Sequence, residues 1–237
     1  MNIKVGLFDL DGKLLPMDQD VFVKTYFVLL AKRLAIRGYE PNKLIESILV
    51  GTKAMVQNDG LKTNEEVFWD KFVEIYGTKV KEDIKYFDEY YKTDFDMVQT
   101  SCGYNENAKS IVDKIKQLGY RIALATNPIF PKIATEKIIS WAGLNSNDFE
   151  LYTTYENACF CKPNIKYYLD IIERLNVKPE ECLMVGNDVN EDMIANSIGI
   201  NVFLMTDCLI NKNNKDISSI PQGNFEDLLQ YIKNISL

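Results

Sequence analysis

Histidine is absent from all 237 residues. That removes the Ser-His-Asp and Cys-His nucleophile arrangements and most zinc-hydrolase sites. Acid–base or nucleophilic work therefore falls to Asp, Glu, Lys, Cys, Ser, Thr or Tyr. Cysteine is sparse, 5 residues in all: Cys102, Cys159, Cys161, Cys182 and Cys208. An odd number without framework spacing suits a reducing compartment. Cys159 and Cys161 form C-x-C with no second pair at a zinc-ribbon distance, so they read as structural thiols. Basic excess is missing too: 27 Lys and Arg face 34 Asp and Glu, a net charge of −7. That disfavours a nucleic-acid or anionic-membrane partner. No run approaches the ~20 apolar residues that span a bilayer, and the start "MNIKVGLFDLDG" is not that of a signal peptide. A cytoplasmic protein, monomer or homodimer, is expected.

What is present is a set of short, continuously apolar runs: "IKVGLFD" (3–9), "RIALAT" (121–126), "FELYTT" (149–154), "CLMVG" (182–186) and "NVFLM" (201–205). Strands of a parallel sheet covered on both faces read this way. Helical stripes separate the later runs: Ala108, Ile111, Val112, Ile115 and Leu118; then Ile133, Ala134, Ile138 and Trp141; then Ile165, Tyr168, Leu169 and Ile172. Gly119 and Gly143 stand where C-terminal stops belong. The expected class is α/β, a doubly wound, Rossmann-like parallel sheet.

Residues 17–98 lack strands. Asp18 and Asp20 favour a helix start, and Lys32, Arg33 and Arg37 its end. "PNKLIESILVG" begins with Pro41 in a first turn and is expected to end at Gly51. Thr63 and Glu66 have capping-box spacing, with a stop at Gly77. Val80, Ile84, Phe87 and Tyr91 share one helical face. The expected organisation is therefore an α/β domain of residues 1–16 and 99–237, with an all-helical domain of residues 17–98 inserted after the first strand.

In open parallel sheets, ligands bind beyond the carboxyl ends of the strands. Asp9 and Asp11, Thr126 and Asn127, Lys162, and Asp188 and Asp192 all follow predicted strands. At ~4 Å and an effective dielectric near 20, each like-charged carboxylate pair costs ~4 kcal/mol. A cation joining them relieves this, and an all-oxygen donor set with room for water favours Mg²⁺. Gly12 allows a sharp turn just beyond Asp11, so both carboxylates can face one pocket. One can attack an electrophile while the other moves a proton. Lys162 and Thr126 supply a positive charge and a hydroxyl for an anion. This combination suits phosphoryl transfer, whose site must neutralise charge on the phosphoryl oxygens.

"FDLDGKLL", "ALATN", "CKPN" and "MVGNDVNED" resemble, in order, the four motifs of the haloacid dehalogenase superfamily, and the helical insert resembles its C1-type cap. The resemblance implies an Mg²⁺-dependent phosphatase acting on a small phosphorylated metabolite. By it, Asp9 becomes the aspartyl-phosphate and Asp11 is the general acid and base. Thr126, Asn127 and Lys162 bind phosphate; Asp9, the Asp11 backbone carbonyl and Asp188 hold the metal; Gly12 and Asp192 support. Asp11 favours a phosphatase over the family's dehalogenases, and a phosphomutase is an alternative use of the same pair. Two positions depart from the pattern. Lys13 replaces the usual threonine, which raises a non-catalytic binding protein with the ammonium in place of the metal. Asn187 precedes Asp188 where Gly-Asp is usual, leaving the metal ligand open among Asn187, Asp188 and Asp192.

Overall fold

Every strand of the sheet is short and parallel to its neighbours. The computed structural model describes residues 2–12 and 14–235; Lys13 lies outside the described residues. The strands are β1 (Val5–Phe8), β2 (Arg121–Leu124), β3 (Leu151–Tyr152), β4 (Cys182–Gly186), β5 (Asn201–Met205) and β6 (Gln222–Gly223), in the spatial order β3-β2-β1-β4-β5-β6. β1 is central, with Phe8 opposite Leu124 on one side and Val185 on the other. The helices α5 (Asn107–Gln117), α6 (Lys132–Trp141), α7 (Ile165–Arg174) and α8 (Phe225–Ile235) complete this layer structure.

The apolar continuity of the strands follows from burial on both faces. Val5, Leu7, Ala123, Met184 and Leu204 join one core with Tyr168 and Ile172 of α7. Phe8, Leu124, Leu183 and Val185 join another with Ile111, Ile138 and Leu228 of α5, α6 and α8. β6, two residues beyond a polar loop, has no sequence signature. Leu169, counted above in a core stripe, is 44% exposed, and Tyr167 and Ile171 are buried beside Tyr168 and Ile172 instead.

Between β1 and α5 the elements among the described residues are helices: α1 (Gln19–Ala35), α2 (Pro41–Val56), α3 (Asn64–Tyr76), α4 (Val80–Lys92) and a 3₁₀ stretch, Asp94–Ser101. Asp18 caps α1 through its carboxylate, and Thr63 with Glu66 forms a reciprocal capping box on α3. α2 does not stop at Gly51 but runs through it to Val56. The glycine serves packing: a Cβ there would lie 2.6 Å from the Phe68 ring of α3. An aromatic core of Tyr26, Trp69, Phe72, Phe87, Tyr90 and Phe95 fills the bundle and continues through Phe130 and Trp141 into the sheet layer. No helix among the described residues is long and apolar enough to cross a membrane.

A buried asparagine, braced by a second, fastens the bundle to the sheet layer. Asn64, at the start of α3, donates from its side chain to the Pro128 carbonyl (3.1 Å) and the Cys161 Sγ (3.2 Å). It accepts from Asn58 Nδ2 at 2.9 Å. Its backbone N–H donates to Ala158 O, and that of Glu65 to Tyr155 O, both at 2.9 Å. The first N–H groups of a helix lack partners within it, and here the sheet layer supplies two.

Candidate active site

β1 and β4 are neighbours, so the loops that follow them begin side by side: Asp9 N–H donates to Val185 O at 3.1 Å. Leu15 N–H reaches back to Leu10 O (3.1 Å), and Gly12 N–H donates to Leu15 O (2.9 Å). This tight turn needs positive φ at Gly12, +78°, and a Cβ there would come 2.6 Å from Asn187 Nδ2. A glycine is required on both counts.

Lys162 is the centre of the charge arrangement. It is 1% exposed, and its Nζ lies 2.7 Å from Asp192 Oδ1 and 3.1 Å from Asp9 Oδ1. Burial alone would lower the pKa of this ammonium, but the Asp192 and Asp9 carboxylates outweigh that and raise it well above its usual range. Asp192, fully buried, turns its other oxygen to the Asp188 N–H (3.0 Å). It fits only because residue 186 is glycine: a Cβ there would lie 2.1 Å from Asp192 Oδ2.

Asp188 follows β4, and its Oδ1 accepts from the N–H groups of Asn190 (2.7 Å) and Glu191 (2.9 Å), closing a turn that aims the loop. Asn187 donates to Cys208 O (2.5 Å), while its own carbonyl accepts from Ile210 N–H (2.9 Å). Thr126 follows β2 and is 7% exposed; its carbonyl is held by Thr153 Oγ1 (2.6 Å) and the Tyr167 hydroxyl (2.8 Å). Asn127 accepts from the Lys162 backbone N–H (3.3 Å) and donates to Glu191 Oε2 (3.2 Å). Its amide is thus engaged between two loops.

The structure accordingly joins Asp9, Lys162 and Asp192 by direct contact and links Asp188 to them through Asp192. Asp11 stands two residues from Asp9 and bridges to Leu15. Three groups have no local signature in the sequence. Glu191 is pushed up to about 7, by burial first and by the neighbouring Asp188, Asp192 and Asp9 carboxylates, against the pull of Lys162. Tyr167 anchors Thr126, and Tyr168 donates to Glu191 O at 2.6 Å. Each depends on a partner far along the chain. The oxygens gathered here are all hard donors: carboxylates in the loops after two adjacent strands, with backbone carbonyls beside them. That set fits Mg²⁺ and lacks the sulfur and imidazole that softer ions prefer.

A sheet of this order, with an acidic loop after each of two central strands and a buried lysine between them, defines a class. The family model "haloacid dehalogenase-like hydrolase" matches residues 3–197, and the chain belongs to that family of hydrolases. It is similar to a glyceraldehyde 3-phosphate phosphatase of Methanothermobacter thermautotrophicus, 32% identical over 48% of this chain and 53% of the relative, so it spans about half that protein's length. It is 25% identical to a phosphoglycolate phosphatase of Colwellia psychrerythraea over 83% of this chain and 81% of that one. Among solved structures, a predicted phosphoglycolate phosphatase of Haemophilus somnus covers 98% of this chain and 99% of its own at 20% identity, with a TM-score of 0.60, which shows the shared fold.

Proposed function

We propose that the chain is a phosphatase that hydrolyses a small phosphorylated metabolite through an aspartyl-phosphate on Asp9. The observation that carries this is the buried Lys162 held between Asp9 and Asp192 at 3.1 and 2.7 Å. A fixed ammonium beside a carboxylate at a strand end stabilises a phosphoryl group arriving there, where it costs no reorganisation. The two curated relatives, both named as phosphatases of small phosphorylated molecules, support the same class.

In this reading an Asp9 oxygen attacks phosphorus as the ester P–O bond breaks, and Asp11, protonated, gives its proton to the departing alkoxide. Asp11 then takes a proton from water, whose oxygen attacks phosphorus, freeing inorganic phosphate and restoring Asp9. Lys162 and the Thr126 hydroxyl bind the phosphoryl oxygens. Asn127 positions Lys162 through its backbone, and Asp192 positions it through its ammonium. Asp9, the Asp11 carbonyl and Asp188 would hold Mg²⁺, which when bound offsets the charge of carboxylates and phosphate together. Both Asp192 oxygens are already bonded, to Lys162 and to the Asp188 N–H, and the Asn187 amide nitrogen donates to Cys208 O, which supports Asp188 as the ligand after β4. Residues 17–98 act as a cap over residues 1–16 and 99–237, excluding water during attack on Asp9.

The test is release of inorganic phosphate from a panel of small phosphate esters with and without Mg²⁺. Mg²⁺-dependent release that disappears in Asp9→Asn is expected. Equal release by that variant would overturn the aspartyl-phosphate mechanism, and transfer without net release would point to a phosphomutase.

A further inference from the structure

A cavity of about 150 Å³ lies between the helical bundle and the loop that follows Asn127. Leu30 of α1, Ile48 of α2 and Trp69 of α3 form its bundle side; Phe130 and Tyr155 form the other. Asp88 is the one charged group among the described residues lining it. The Tyr26 and Tyr91 hydroxyls at its edge satisfy each other at 2.7 Å. Trp69 Nε1 is buried without a well-formed hydrogen bond. Burial pushes the Tyr155 hydroxyl far above its usual range, Glu65 adds to this, and the Trp69 N–H works the other way. A dry apolar cavity of this size takes a benzene-sized guest.

The cavity wall and the phosphoryl site share one loop. Ile129, on its wall, is three residues after Thr126, a span of at most about 11 Å. Ile129 and Phe68 also pack on a cluster of Met55, Tyr155 and Cys161, and Cys161 precedes Lys162. The open cleft on the other side of the turn, beside Gly12 and Asn187, is lined by Asp18 and Asp20, with Lys212 as the one cation among the described residues lining it.

We propose that this cavity receives the leaving group of the phosphate ester, and that this group is an uncharged, largely apolar alcohol of about six carbons. The inference rests on the phosphatase reading above. A carboxylate in the leaving group, such as that of phosphoglycolate, would be desolvated beside Asp88 with no cation among the described lining residues to pair with it, which is unfavourable. The Trp69 N–H, Thr52 and the tyrosine hydroxyls are the uncharged polar groups that an alcohol oxygen could meet on an otherwise apolar lining.

The test is kcat/KM along n-alkyl phosphates from ethyl to hexyl, whose alcohols differ little as leaving groups, with 2-phosphoglycolate alongside. Each methylene buried should raise kcat/KM about threefold to fourfold, and 2-phosphoglycolate should fall below hexyl phosphate. Ile48→Trp, which fills the cavity, should remove the chain-length slope. In Asp9→Asn, which cannot turn over, hexan-1-ol should raise the melting temperature. Phosphate release that is flat or falling with chain length overturns this inference and leaves the phosphatase standing. No release from any ester overturns the phosphatase reading itself.

Discussion

Lys162 and Gly186 carry the sharpest residue-level consequences. Lys162→Met leaves the buried Asp192 carboxylate without its cation, a change that costs about 3–5 kcal/mol. The melting temperature should drop by about 10 °C, and phosphate release should fall with it. A drop within 2 °C would mean that Asp192 is neutral or otherwise paired. Gly186→Ala forces a methyl into the space of the Asp192 carboxylate, 2.1 Å away. Overpacking of this kind costs about 1–3 kcal/mol. Because the displaced group is what holds Lys162, kcat should fall further than stability alone explains; activity close to that of the parent would show that Lys162 holds its place without Asp192. These roles divide by how far their partners lie along the chain. The placement of Asp9, Asp11 and Gly12 could be read from adjacent letters, since one strand end and one turn set it. Glu191 and Tyr167 could not: Glu191 answers to Asn127, and Tyr167 to the carbonyl of Thr126. Asn127 shows the same limit, its side chain engaged by loop contacts that nothing nearby in the sequence announces.

At the scale of elements, the start of α3 does two jobs. Its capping box is local, and Thr63→Ala should cost about 1 kcal/mol in urea unfolding, as loss of an N-cap does. Asn64 is instead tied to Pro128, Cys161 and Asn58. Asn64→Leu strands several of these groups, and each buried polar group left unsatisfied costs about 1–3 kcal/mol. That variant should lose more stability than Thr63→Ala and should expose the loop after Asn127 to proteolysis. Equal losses would reduce Asn64 to an ordinary first-turn residue. The strands were legible because burial on both faces leaves an unbroken apolar run. The helix caps were legible because their chemistry spans three residues. Gly51 was misleading for a physical reason: a glycine marks a helix end when it supplies positive φ, but here it gives room to an aromatic ring. β6, two residues long, had no pattern to offer.

For the whole molecule, Mg²⁺ should act as a stabiliser if Asp9 and Asp188 hold it. At 100 times its Kd a ligand of the native state adds about 2.7 kcal/mol, or roughly 5–10 °C in melting temperature for a chain of this size. Asp188→Asn should abolish the shift. An unshifted parent protein would favour the reading in which no metal binds. The order of the sheet has a separate consequence, for assembly. β1 is first in the chain, yet Val5 pairs with Arg121 and Cys182. Closing such long loops precedes any reward from the contacts they make. The four-helix segment can mature meanwhile, but the first strand must wait for distant partners before its acidic loop is set. The catalytic machinery is therefore expected to form late, and in a Trp141→Phe variant refolding followed by the fluorescence of Trp69 should run ahead of the return of activity.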